Sequence, residues 1–259
     1  MGTEQAILGT LPGDQVWPAI NVNAAGGYLI WQGNANEGTP AAAIKKAATP
    51  APGWGIGAAR LTSGFAVTAA TPARVTQRLS GDQEKPRVAA LKSGNALVAW
   101  QGPGKLGADI YAAVIGPGGN LVKSDVVVNT YTKDLQINPD VAALADGNGV
   151  VVWQSFQEEG GGNAFFGVYA QRFTPAGAKL GREFHVNQTT NYNQRTPAIA
   201  GLANGTFVVV WVSELQRFQN SVDLFGRIFD ANGLALGNEF LINTTSNYCA
   251  NPAVTSSGD

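Results

Sequence analysis

The chain is nearly devoid of three chemically versatile residues: of its 259 residues, one is cysteine, one is histidine and one is methionine. The single cysteine, Cys249, excludes an internal disulfide and so a disulfide-rich scaffold. The single histidine, His185, would have to be the base of any Ser/His/Asp triad, and one His with one Cys is too few for a zinc site. We therefore expect His185 to be a surface residue of an outer strand.

Charge is also scarce, since charged residues make up 14% of the chain and the formal net charge is −1. This composition argues against partners that are recognised electrostatically, namely nucleic acid and anionic membrane surfaces. No run of about 20 apolar residues is present, so no transmembrane helix is predicted. The first four residues do not have the pattern of a signal peptide.

Glycine and proline are plentiful, with 33 and 13 copies, and they punctuate a sequence repeat. Each copy contains Gln, then Pro three residues later, Gly eight residues after the Pro, and Trp at the end of an apolar run. Repeats of this length indicate arrays, solenoids or propellers. The repeated glutamines are Gln15, Gln83, Gln136 and Gln194, and the repeated tryptophans are Trp31, Trp100, Trp153 and Trp211.

The third copy predicts four strands, which we call A to D. Its A strand begins at a proline, where proline is tolerated, and Asp146-Gly147 suits the turn of the following hairpin. The B strand is a continuous β-branched run, as expected for a strand buried on both faces. The four predicted strands cover residues 139–144, 150–154, 168–173 and 182–187.

Four-stranded antiparallel units of this length predict an all-β fold, a β-propeller, in one domain over residues 1–259. About four and a half repeats are visible, so we expect a propeller that is incomplete or is completed by another chain. The first repeat has a weak C strand at 41–48 and extra sequence at 53–71, which is interpreted as an insertion. The repeats span residues 15–82, 83–135, 136–193 and 194–248, with a partial copy at 249–259.

The phrases Pro-Asp-Val-Ala-Ala-Leu at 139–144, Val-Val-Val-Trp-Gln-Ser at 150–155 and Val-Tyr-Ala-Gln-Arg-Phe at 168–173 resemble a repeat of large secreted bacterial surface proteins. In those proteins the repeat often lies beside calcium-binding RTX-type repeats or cadherin-like domains. The resemblance implies a propeller-like module, a secreted or cell-surface location, and an adhesive or structural role. This chain departs from the pattern in its first repeat and lacks acidic residues in some loops.

Aromatic residues divide into two groups. The repeated tryptophans end Val-rich strands, so we expect them to pack in the core. The glutamine that follows Trp in three copies is expected to bond the backbone of a neighbouring blade (Gln32, Gln101 and Gln154). Ligand or partner contacts are expected instead from aromatics in irregular segments, which are Trp54, Phe156, Phe165, Phe166 and Phe218.

Carboxylates give few candidates for chemistry. Glu158 and Glu159 are adjacent in a Gly-rich loop, which sets no defined spacing between their carboxyl groups, so a solvated loop is favoured over glycoside hydrolysis. Asp109 and Asp223 precede strand C at equivalent places, where turn capping is favoured and calcium binding is the alternative. No cofactor and no catalytic residue is predicted.

The sequence thus favours a non-enzymatic propeller that serves as an extracellular scaffold for protein interaction, adhesion or assembly, with another protein chain as its partner. A carbohydrate-binding lectin is the first alternative, although the loops between strands B and C differ from copy to copy. A glycan-active enzyme with a site on the axis is the second alternative. It requires charged residues on the inner strands, where Arg87 and Asp140 share one repeat position.

Overall fold

The computed structural model describes residues 13–34, 53–68, 73–78 and 80–256. All sixteen elements within these ranges are β-strands, which confirms the all-β prediction. None of the described residues forms a helix with the length and apolar character that a membrane crossing needs.

The strands form four antiparallel units of four, here called blades 1 to 4, and within each blade every strand pairs with the next in sequence. A short parallel pairing of Leu106–Ala108 with Lys133–Leu135 also joins blades 2 and 3 into one eight-stranded sheet. Blade 1 contains β1 (Gln15–Asn23), β2 (Gly26–Gly33), β3 (Gly55–Leu61) and β4 (Ala73–Arg74). Blade 2 contains β5 (Glu84–Ala90), β6 (Ala96–Pro103), β7 (Leu106–Ile115) and β8 (Leu121–Val127). Blade 3 contains β9 (Lys133–Ala143), β10 (Gly149–Phe156), β11 (Phe166–Phe173) and β12 (Lys179–His185). Blade 4 contains β13 (Gln194–Gly201), β14 (Phe207–Glu214), β15 (Val222–Phe229) and β16 (Phe240–Leu241).

The hairpin between β9 and β10 turns at Asp146-Gly147, as the sequence predicts. Gly147 has φ of +93°, and its N–H donates to the Leu144 carbonyl, so glycine is needed there. The predicted C strand of the first repeat, residues 41–48, lies outside the described residues. The third strand of blade 1 is β3, inside the segment interpreted as an insertion, and it pairs with β2 along its whole length.

Apolar side chains form three cores, one between each pair of consecutive blades. Trp100 packs in the core between blades 1 and 2, Trp153 between blades 2 and 3, and Trp211 between blades 3 and 4. All three are fully buried, and Trp31 is 2% exposed. The predicted core position of the tryptophans is therefore confirmed.

Glutamines link the blades on the inner side. In each case the side-chain Oε1 accepts a hydrogen bond from a backbone N–H in the first strand of the next blade, which confirms the sequence prediction. The pairs are Gln32 with Lys85 (3.4 Å), Gln101 with Asn138 (3.0 Å) and Gln154 with Thr196 (2.8 Å).

Carboxylates link the blades on the outer side, a feature that the sequence did not indicate. In blades 2 to 4, an acidic residue lies in the fourth strand or directly before it. Its carboxylate accepts a hydrogen bond from a backbone N–H that follows the fourth strand of the preceding blade. The pairs are Asp125 with Gln77 (3.0 Å), Glu183 with Thr130 (2.7 Å) and Glu239 with Gln188 (2.6 Å).

The outer face of blade 4 differs from those of the other blades. Val75, Val128 and Val186 each follow the fourth strand of their blade and are completely buried, whereas their counterpart Ile242 is 41% exposed. Among the described residues, no core of the kind found between consecutive blades joins blade 4 to blade 1.

Candidate functional site at the axis

The first strands of the four blades surround a common axis, which contains a cavity of about 340 Å³. An adjoining cavity of about 330 Å³ shares Arg87 and Asp140 with it. Residues 251–256, which follow blade 4, also line the axis beside these strands. The polar residues of the first cavity are Lys85, Arg87, Asn138, Asp140, Thr196 and Asn251.

Strained backbone marks the mouth of this cavity. The residue before the repeated proline has a left-handed conformation in all five copies, although a following proline and any side chain oppose it. These residues are Trp17 (φ +51°), Lys85 (+51°), Asn138 (+55°), Thr196 (+49°) and Asn251 (+55°). Each of the four complete copies has a register shift between its first two strands at this point. All of these residues except Trp17 line the first cavity, and strained backbone is known to cluster at functional sites.

Proline is followed by a charged residue in only two copies, and the two charges lie side by side. Arg87 Nε is 3.8 Å from Asp140 Oδ1, and the Ile199 N–H donates to Asp140 Oδ2 at 3.0 Å. Burial raises the pKa of Asp140, against the opposing effects of the Ile199 and Val141 amides and of Arg87. Its side chain remains 23% exposed, so the carboxyl can exchange a proton with a molecule in the cavity.

A chain of polar side chains continues from this pair along the cavity. Lys85 Nζ donates to Asn138 Oδ1 at 2.6 Å, and Asn138 Nδ2 donates to Gln154 Oε1 at 2.9 Å. Lys85, Asn138 and Thr196 are not among the candidate residues predicted from the sequence. The available signal was their shared place before the proline of each repeat.

The aromatics predicted to contact a ligand do not line the axial cavities. Phe156 packs against Phe165 and Phe166, with ring centroids 6.5 and 5.1 Å away. Phe218 belongs to blade 4 and packs under the Arg217 guanidinium, 4.9 Å from its ring. Trp54 directly precedes β3, and its backbone N–H donates to Asp82 Oδ1. The five aromatics therefore do not form one site.

The two aspartates considered for calcium are buried within their own blades. Asn129 Nδ2 donates to Asp109 at 2.7 Å, and Asn243 Nδ2 donates to Asp223 at 2.9 Å. Both asparagines also accept a backbone N–H from the third strand of their blade, that of Ile110 for Asn129 and that of Leu224 for Asn243. In the part of the chain that the structure describes, no three His, Cys, Asp or Glu side chains are grouped so as to hold a metal ion. Calcium binding stays a prediction.

No protein-family description and no curated protein sequence matches this chain. Solved structures do match its fold. An endo-arabinase from Bacteroides thetaiotaomicron has a TM-score of 0.50 and 12% identity, over 92% of this chain and 83% of its own. An α-L-arabinanase from Penicillium chrysogenum, complexed with arabinobiose, has a TM-score of 0.55 and 13% identity, over 93% and 70%. The family GH93 α-L-arabinofuranosidase of Fusarium graminearum has a TM-score of 0.54 and 11% identity, over 88% of this chain and 66% of its own.

These neighbours are β-propellers, and they show that the chain has the β-propeller fold. They also correct the expectation of a non-enzymatic scaffold for adhesion or protein binding, because the matching structures are glycoside hydrolases. The prediction that the chain is not an enzyme is corrected on the same ground. The resemblance to secreted repeats and the protein partner stay predictions.

Proposed function

We propose that this chain acts on glycans through its axial cavity, with an arabinose-containing polysaccharide as the substrate class. The observation that supports this most is the position of Asp140, a carboxyl with a raised pKa beside Arg87 in a strained, polar cavity. The fold is shared with an arabinanase complexed with arabinobiose, which favours this class of glycan.

Cleavage of a glycosidic bond begins with protonation of the leaving oxygen by a carboxylic acid. Asp140 has this role in our proposal, because burial keeps its proton to higher pH than an exposed aspartate would allow. Lys85 and Arg87 would hold sugar hydroxyls beside it. Asp140 is the single carboxylate among the described residues that line the axis, so the second carboxylate of such a reaction would come from outside them.

The proposal includes completion of the propeller between blades 4 and 1, where Ile242 is exposed. Further strands, from the same protein or from another chain, would cover this face and could supply the second carboxylate. A secreted or cell-surface location, implied by the repeat resemblance, fits a polymeric substrate that cells meet outside.

The test compares Asp140→Asn with the wild type, each as the complete protein with its propeller completed, on linear arabinan and arabino-oligosaccharides, with product analysis for cleavage and calorimetry for binding. Loss of the proton donor should lower the cleavage rate about 10²–10⁴-fold while oligosaccharide still binds. The control is Asp146→Asn, since Asp146 caps a turn through Asn148 N–H and the equivalent Asn204 caps its own turn in the same way.

A wild-type protein that neither binds nor cleaves these glycans would overturn the proposal, as would an Asp140→Asn variant with full activity. Binding without cleavage by the wild type would support the lectin alternative instead.

A further inference from the structure

A third cavity, of about 520 Å³, lies on the outer side of blade 3, between β11 and β12. It shares no lining residue with the two axial cavities. Its polar lining comes from Glu158, Gln171, Lys179, Glu183 and His185, among others. The proposed activity at the axis uses none of these groups.

Gln171 presents an unsatisfied acceptor at this cavity. The residue is 1% exposed, and its Nε2 donates to the backbone carbonyls of Arg172, Leu180 and Gly181 at 3.0, 3.3 and 3.4 Å. Its Oε1 is buried and has no hydrogen-bond partner. Buried polar atoms in native proteins almost always have a partner, so an orphan at a cavity wall points to a ligand that donates to it.

In blade 4, the side chains of the equivalent region form hydrogen bonds with one another. Gln216 accepts a hydrogen bond from Ser213 Oγ and donates from Nε2 to Glu239 Oε1, both at 2.6 Å. Glu158 and Glu183 occupy the equivalent places in blade 3, so a carboxyl stands where blade 4 has an amide. Burial, and then the neighbouring Glu183, raise the pKa of Glu158 to about 7. Glu158 Oε2 is also buried without a hydrogen-bond partner.

Cations complete the lining. Lys179 and Arg182 lie on the β12 side, and burial lowers the pKa of Lys179. The cavity therefore offers a free acceptor on Gln171 and a carboxyl group on Glu158 together with ammonium and guanidinium donors. The carboxyl groups would repel an anionic ligand, and the two cationic side chains would repel a ligand that carries an ammonium group. A neutral molecule that both donates and accepts hydrogen bonds, with several hydroxyl groups, fits this combination.

We propose that the cavity between β11 and β12 is a second saccharide-binding site, separate from the axis. Its hydroxyl ligands would donate to Gln171 Oε1 and accept from Lys179 Nζ. Blade 4 has Arg227 and Ala235 at the positions of Gln171 and Lys179, so the site belongs to blade 3. Two saccharide sites on one module would let it hold a polymeric glycan at two points.

The single histidine of the chain is a built-in reporter, because His185 lines this cavity. Its ring stacks on Tyr169 at 4.9 Å, and its Nε2 lies 2.5 Å from Glu159 Oε1. The imidazole proton resonances are followed by NMR while arabinotetraose is titrated into the wild type, Asp140→Asn, Gln171→Arg and Lys179→Ala. The last two variants copy residues that blade 4 already accommodates.

The expected result is a saturable shift of the His185 resonances in the wild type and in Asp140→Asn, with apparent affinity reduced at least tenfold in Gln171→Arg and Lys179→Ala. Thermal melting checks that each variant is folded. If Gln171→Arg does not fold, the affinity of Lys179→Ala alone tests the proposal. Unchanged affinity in a folded variant would overturn the second site. So would an unmoved His185 signal while calorimetry detects arabinotetraose binding, a result that leaves the axial proposal standing. Absence of any binding would overturn both.

Discussion

Glu159 places its carboxylate at the spot that a side chain on Gly167 would fill. In blades 2 and 4 the position of Gly167 holds Asp109 and Asp223, each bonded to the asparagine that follows the fourth strand. In blade 3 that asparagine is Asn187, and its Nδ2 donates to Glu159 Oε1 at 3.3 Å. A loop carboxylate has thus replaced a strand carboxylate, and glycine makes room for it.

This replacement predicts strong coupling between Glu159 and Gly167. Gly167→Asp alone should destabilise the fold because two carboxyl groups compete for one space, and Glu159→Ala alone should cost about 1 kcal/mol through the lost hydrogen bond. The double variant rebuilds the arrangement of blades 2 and 4, so we expect it to be more stable than Gly167→Asp. Denaturant unfolding of the four proteins measures the coupling free energy. Additive effects would contradict the exchange.

Glu158→Gln should change how stability depends on pH. The folded-state pKa of Glu158, about 7, lies above the ordinary value of 4.5. The folded protein therefore holds the proton more tightly, so the stabilisation is complete below about pH 4.5 and is lost as pH rises through about 7. Glutamine should remove this decline, as Gln216 does in blade 4. Unfolding free energies between pH 4.5 and 8 should diverge by roughly 1 kcal/mol, allowing for partial exposure.

Parallel pH profiles for the wild type and Glu158→Gln would contradict this assignment. Asp146→Asn, in an exposed turn, is the matched control for removing one carboxylate elsewhere.

Gln154→Met should lower stability by about 1–3 kcal/mol, because methionine keeps the length of the side chain but cannot accept two hydrogen bonds. Gln154 Oε1 accepts from Thr196 N–H at 2.8 Å and from Asn138 Nδ2 at 2.9 Å. Gln32→Met is the comparison, since Gln32 accepts the Lys85 N–H at only 3.4 Å. Thermal unfolding should show the larger loss for Gln154→Met, and equal losses would argue against the blade-linking role.

Thr196→Asn should raise the melting temperature. Thr196 is β-branched and held at φ +49°, a conformation that asparagine adopts more readily and that Asn138 and Asn251 already have at the same repeat position. We expect a gain of about 0.5–1 kcal/mol. The control is Thr174→Asn, at a position with a negative φ outside the axis. A lower melting temperature for Thr196→Asn would show that the threonine side chain outweighs the backbone strain.

Val186→Ala and Ile242→Ala should differ although they change equivalent positions. Val186 is fully buried between blades 3 and 4, so its truncation should cost about 2 kcal/mol. Ile242 is 41% exposed, and its truncation should cost less than half as much. Chemical denaturation of the isolated chain tests this directly. A larger loss at Ile242 would show that the outer face of blade 4 is covered in solution.

The sequence predicted the repeated parts of this molecule well because each is supported several times. Glycine fixes where strands turn, and the β-branched runs ending in Trp153 or Trp211 fix which strand is buried. The predicted start of strand A at a proline was wrong, because β9 begins at Lys133 and Pro139 lies inside it. The inter-blade glutamines were predicted for the same reason. The position of β3 was not predicted, because the first repeat has diverged from the others. The spacing that locates strand C in the later repeats therefore does not locate it in the first.

The candidate sites were harder to predict because they depend on where the copies differ. The pairing of Arg87 with Asp140 needs two residues 53 positions apart to meet between the first strands of neighbouring blades. The pKa of Glu158 is raised first by burial and then by Glu183, a residue of the outer strand. The order of residues along the chain shows neither of these two contacts, although the shared repeat position of Arg87 and Asp140 was a usable signal for the first.

The hydrogen bonds between blades join consecutive blades, and this has a consequence for how the protein is made. When the first strand of a new blade leaves the ribosome, the glutamine that accepts its strained N–H is already present in the blade before it. When its fourth strand follows, the acidic residue there finds its donor in the same earlier blade. Each blade can therefore dock on finished structure, and the order of synthesis is also an order of assembly.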